Sequence, residues 1–126
     1  MKKGGLGQVY ADGDVIVHEG EKGDCMYVVQ EGQVEVYVDR DGEEVRLALR
    51  GEGEFFGEMA VFEREVRSAS VRALGSARIL TIDRKNLMRR VHEDPALACS
   101  LVETMSRRIR ELSNELARIK RAATGP

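Results

Sequence analysis

Gly57, Glu58 and Arg67 have residue types and spacing that suggest chemistry. They lie in Gly53-Glu54-Phe55-Phe56-Gly57-Glu58-Met59-Ala60, followed by Arg67-Ser68-Ala69-Ser70-Val71. That short span joins two glycines, a carboxylate, a helix start and a guanidinium. Exposed N–H groups at a helix start, together with an arginine, suit a phosphate. An acid beside a phosphate is unfavourable unless a sugar hydroxyl or a cation occupies it, so the set suits a small anionic ligand that carries a sugar. Blander readings stand beside this one. Glu58 can serve as a helix N-terminal charge, Arg67 as a solvated strand-start charge and Ser68 as a turn serine. Phe55 and Phe56 fit loop anchors packed on a core.

Other chemistry finds no support. There is no nucleophile–base pairing, no triad and no metal-ligand spacing, so no catalytic residue and no metal site is assigned, and an enzyme is not expected. His18 and His92 fit strand polarity and helix surface. Cys25 and Cys99 lack C-x-x-C spacing and are expected as free thiols in a reducing compartment.

The 126 residues are read as one domain, with a formal charge of −2 that gives no global pull toward nucleic acid or membrane. No signal peptide and no membrane span is apparent, so the expected location is cytoplasmic. Thirteen glycines against two prolines suit the tight turns of an antiparallel β structure.

The elements that must hold these residues fall in two parts. From about residue 8 to 82 short strands alternate with turns. Val15 to His18 is a compact apolar run, and Met26 to Gln30 a strand ended by a tight Glu31-Gly32 turn. Val34, Val36 and Val38 share one face, and Asp41-Gly42 is a favoured hairpin pair. In the partner strand Val45, Leu47 and Leu49 point one way. Ser68 to Leu74 and Ala77 to Ile82 form a second strand pair around Gly75-Ser76. Strands this short and closely spaced favour a small jelly-roll-like barrel over an open sheet.

From 84 to 122 the pattern is helical. Asp83 is the N-cap of a short helix over 84–92, and Asp94-Pro95 starts a long one. Ala98, Val102, Met105, Ile109, Leu112, Leu116 and Ile119 alternate steps of four and three, a heptad seam. Such a helix spans almost 40 Å at about 1.5 Å per residue, too long to lie on a small barrel throughout. It packs on its own domain or, in its distal half, on a second copy.

With these features in place the chain resembles the cyclic nucleotide-binding domain family, most closely the sensor domain of catabolite activator-type bacterial regulators. The resemblance covers roughly residues 12 to 120. It rests on Gly13-Asp14-Val15-Ile16 with Glu19-Gly20, Gly23-Asp24-Cys25-Met26-Tyr27-Val28-Val29 with Gly32, the loop from Gly53 to Val71, and the helix at Asp94-Pro95. It implies a mainly β fold with C-terminal helices (α+β): a jelly-roll-like double-stranded β-helix barrel, a short helix, and a long dimerisation helix. It implies a phosphate-binding cassette in which Gly57 allows close backbone approach and Glu58 accepts from the ribose 2′-hydroxyl. Met59 and Ala60 offer N–H groups, Arg67 pairs with the phosphate and Ser68 adds a hydroxyl. In the base-recognition region the family's hydroxyl positions fall on Leu112 and Ser113. The serine matches and the leucine departs, which leaves base specificity open. Arg108, one turn earlier, can reach Glu58 or the ligand, or flank a coiled coil.

The resemblance therefore implies a regulatory sensor for a cyclic nucleotide, cyclic AMP favoured over cyclic GMP, that works as a homodimer through the long helix. The basic residues of 106–121 fit coiled-coil flanks, and neither direct nucleic-acid contact nor membrane binding is expected. Two alternatives remain: a non-sensing dimerisation domain of the same fold with a degenerate pocket, or the sensor part of a larger transcription regulator.

Overall fold

The valine-rich runs and glycine turns produce six strands in the computed structural model, which is described for residues 7–63 and 66–124. In chain order these are β1 (Gln8–Tyr10), β2 (Val15–Val17), β3 (Cys25–Arg40), β4 (Glu43–Gly51), β5 (Phe55–Phe56) and β6 (Ser70–Asp83). Three helices, α1 (Glu58–Glu63), α2 (Arg84–Glu93) and α3 (Pro95–Ala123), complete it. The strands are antiparallel along the path β1-β6-β3-β4, with β2 on β6 and β5 on β3. This is the expected jelly-roll-like, mainly β fold with C-terminal helices. Among the described residues the sheet does not close into a barrel.

β3 and β6 form the spine. They pair from Cys25↔Asp83 to Tyr37↔Ser70. Two expectations are corrected here. Glu31-Gly32 is not a turn, and Gly75-Ser76 does not separate two strands. Each lies within one continuous strand, where the register shifts between Val29 and Gln33. Gly32 and Gly75 take φ of 88° and 69°, a backbone state open to glycine without a Cβ penalty. The residues therefore kink the strands instead of ending them.

The β3–β4 hairpin forms as expected, with Arg40↔Glu43 closing Asp41 (φ 58°) and Gly42 (φ 84°). Two positive φ values match a primed turn that suits strand twist. The expected single face of β4 does not survive. A bulge between Val36 and Tyr37 sets Val45 opposite Val38 but Leu49 opposite Glu35, so the two side chains point to opposite faces. One inserted residue reverses the alternation beyond it.

Val34 and Val36 pair with Ala73 and Val71, and with Val29, Phe56, Ala77 and Ile79 they build the core. Each such aliphatic side chain contributes about 1.5–3 kcal/mol on full burial.

The chain divides into two compact units after Leu87. The first holds the sheet, α1 and the start of α2, which Asp83 caps by accepting from the Asn86 N–H at 2.8 Å. In the second, α3 begins as expected: Asp94 caps by accepting from the Ala96 N–H at 3.2 Å, and Pro95 fills the first turn. Along α3, Val102, Ile109, Leu112, Leu116 and Ile119 are exposed in the single chain. No helix among the described residues is long and apolar enough to cross a membrane. Both cysteines are free thiols.

Candidate functional site

β5 is a two-residue strand held by its aromatics. Phe55 and Phe56 are buried and pair with Val28 and Tyr27 of β3. Upstream, the Glu54 carboxylate accepts from the Gly51 N–H at 2.7 Å, and Val29 exchanges bonds with Gly53 and Glu54. With the entry pinned, Gly57 turns the chain at φ 76° and Glu58 opens α1. Ala60 and Val61 bury one side of that helix, while Met59 stays half exposed. At its far end Arg84 donates to the Val61 carbonyl at 2.7 Å, satisfying an acceptor that the short helix leaves free.

Arg67 lies across from this turn. Its backbone is clamped by the loop between β2 and β3: its N–H donates to the Glu21 carbonyl and its carbonyl accepts from the Gly20 N–H, both at 2.8 Å. Its side chain runs inward, and the residue is only 8% exposed. Nη1 donates to the Gly57 carbonyl and Nη2 to the Cys25 carbonyl, each at 2.9 Å. Nη2 also lies 3.8 Å from the Cys25 sulfur. The guanidinium carbon sits 5.5 Å from the centroid of the Tyr27 ring. All these partners are neutral. Among the described residues no carboxylate pairs with this buried cation, whose desolvation an anion would offset.

Tyr27 is fixed in turn. It stacks on Phe56 with centroids 5.1 Å apart and planes 16° from parallel. The Cys25 thiol donates to its hydroxyl at 3.4 Å. Burial foremost pushes the Tyr27 phenol well above its ordinary range, so the ring stays neutral.

The structure thus brings Arg67 to Gly57, the residue before Glu58, and places Met59 and Ala60 in the same first turn. Ser68 follows Arg67 and is exposed. Arg108, Leu112 and Ser113 all lie on α3 in the second unit, Arg108 and Leu112 one turn apart on one face, with Leu112 68% exposed. Reading the sequence alone passed over Tyr27, the Cys25 carbonyl and Gly23. The signal for them is the Gly23 to Val29 run, whose glycine and strand pattern by itself speaks to fold and not to ligand. Among the described residues no group of three or more His, Cys, Asp or Glu could hold a metal ion.

The architecture is that of a jelly-roll domain of the catabolite activator type. The chain belongs to the cyclic nucleotide-binding domain family, whose model matches residues 8–94. It is 34% identical over 110 residues to the cyclic AMP receptor protein of Thermus thermophilus, covering 86% of this chain and 51% of that protein. The crystal structure of the Thermus thermophilus catabolite activator protein superposes with a TM-score of 0.81 at 32% identity, covering 90% of this chain and 54% of the other. The regulatory domain of Toxoplasma gondii PKA, solved with cAMP, gives a TM-score of 0.66 at 28% identity, covering 82% and 38%. The chain spans about half the length of the bacterial receptor relatives it matches.

Proposed function

We propose that this chain is a cyclic nucleotide-binding regulatory module, a sensor rather than a catalyst, with cyclic AMP its favoured ligand. The observation that carries the proposal is Arg67: a buried guanidinium with neutral partners, seated on the carbonyl of Gly57. A cyclic phosphate supplies the missing negative charge. In this reading Arg67 and the Ser68 hydroxyl take the phosphate together with the Met59 and Ala60 N–H groups, Gly57 permits close approach, and Glu58 accepts from the ribose 2′-hydroxyl. Each charge-assisted bond contributes about 1.5–3 kcal/mol. The family resemblance assigns Leu112 and Ser113 to the base, Leu112 covering a purine face without hydrogen-bonding to it, and Arg108 to Glu58 or the ligand.

The preference for cyclic AMP draws on the relatives, one named as its receptor and another solved with it. The exposed α3 seam supports a homodimer as the working form, with ligand biasing the position of that helix. A switch of this kind needs differential affinity for two helix arrangements. Free Cys25 and Cys99 suit a reducing cytoplasm.

Calorimetric titration with cyclic AMP and cyclic GMP tests the proposal. Binding should be saturable, and Arg67→Ala should weaken it at least about tenfold, the loss of one charge-assisted bond. A parent chain that shows neither heat nor a thermal shift at millimolar ligand would leave a non-sensing dimerisation domain as the surviving alternative.

A further inference from the structure

We propose that Tyr27 is a positioning residue for Arg67, its ring and the bare Cα of Gly23 forming the slot that presents the guanidinium to a phosphate. The proposal rests on the cyclic nucleotide reading above and adds residues to it. The ring cannot drift, because Phe56 stacks on it and β5 pairs Phe56 with Tyr27. The cation at 5.5 Å lies within the range where a ring face attracts it.

Two glycines close the slot. A Cβ built at Gly23 would overlap the guanidinium, and its three nearest atoms are Nη2, Nε and Cζ of Arg67. A Cβ at Gly57 would come within 2.9 Å of Nη1 and 3.2 Å of the Tyr27 ring. The slot therefore admits the guanidinium only while both positions lack side chains. The guanidinium has five N–H donors. The carbonyls of Gly57 and Cys25 engage one on each Nη, so the ring and the glycines fix where the remaining donors point.

A core tyrosine that merely packs would affect folding and leave the phosphate contact alone, and the experiment separates the two roles. Cyclic AMP is titrated calorimetrically into the full chain and its variants, with ligand-free thermal midpoints measured alongside. Tyr27→Leu should weaken binding about five- to twentyfold, the range of a partly desolvated cation–ring contact. Tyr27→Phe, which keeps the ring, should restore parental affinity. In an Arg67→Ala background Tyr27→Leu should cost nothing further, because the ring acts through the guanidinium.

Should Tyr27→Leu fail to fold, Gly23→Val examines the slot from its other wall. There the movable end of Arg67 yields, so affinity should fall while the thermal midpoint holds. Parental affinity in Tyr27→Leu or Gly23→Val overturns the proposal, as does an undiminished Tyr27→Leu penalty in the Arg67→Ala background. Failure of the parent chain itself to bind removes the cyclic nucleotide reading, and is seen before any variant is made.

Discussion

Two charged side chains are buried among the described residues, and they are treated in opposite ways. Glu35, 6% exposed, takes the Arg46 Nε at 2.6 Å and the Arg72 Nε at 2.8 Å, one on each carboxylate oxygen. Arg72 also reaches Glu44 at 3.0 Å and lies 4.1 Å over the Tyr37 ring. The Arg46 hydrogen bond foremost, then that of Arg72, holds the Glu35 carboxyl below its ordinary 4.5, against the opposing effect of burial. A depressed carboxyl contributes stability in full above its unfolded value and loses it as pH falls through the folded one. The parent should therefore destabilise more steeply than Glu35→Gln as pH drops below 4.5, measured by urea midpoints across the acid range. Parallel pH curves would deny the network this role. Arg67 has no such neutralising partner among the described residues, which is why a ligand is assigned to it and not to Glu35. The residue types around Arg67 were legible in the sequence. The ring beneath it was not, because Tyr27 and Arg67 are forty residues apart and only the fold joins them.

At the scale of elements, local signals succeeded where one residue's chemistry decides the outcome. Asp41-Gly42 made its hairpin, Asp83 and Asp94 capped their helices, and Pro95 opened α3. They failed where tertiary pairing overrode them. Gly32 and Gly75 carry a turn-forming residue type, yet each stays inside a strand because the opposite strand continues past it. The reversal in β4 was also hidden, since a bulge depends on two strands together. The two kinds of positive-φ glycine separate by experiment. A side chain at Gly32 would approach the Ala77 Cα at 3.0 Å, whereas Gly42 has open space around it. Gly42→Ala should cost about 1 kcal/mol, the conformational penalty alone. Gly32→Ala should cost about 2–4 kcal/mol, with overpacking added. Equal urea midpoints for the two variants would show that the kink is not tightly packed.

At the scale of the molecule, the helical unit presents Val102, Ile109, Leu112, Leu116 and Ile119 to solvent at steps of seven, three, four and three. The sequence showed these five positions, because helical periodicity is a local property, while Ala98 and Met105 of the expected seam are half-buried. In the proposed homodimer, Leu112→Asp with Leu116→Asp should convert dimers to monomers in light scattering, since two charges would enter an apolar seam. Dimers that persist would place the interface elsewhere. In the sheet unit, β3 begins at the Cys25 carbonyl that seats Arg67 and ends at the hairpin tip, with β6 beside it for most of that length. Had the kinks been true chain reversals, either end of the sheet could fray by itself. With both strands unbroken, the two ends belong to one hydrogen-bonded ladder, so this unit should gain or lose its order as a single cooperative block.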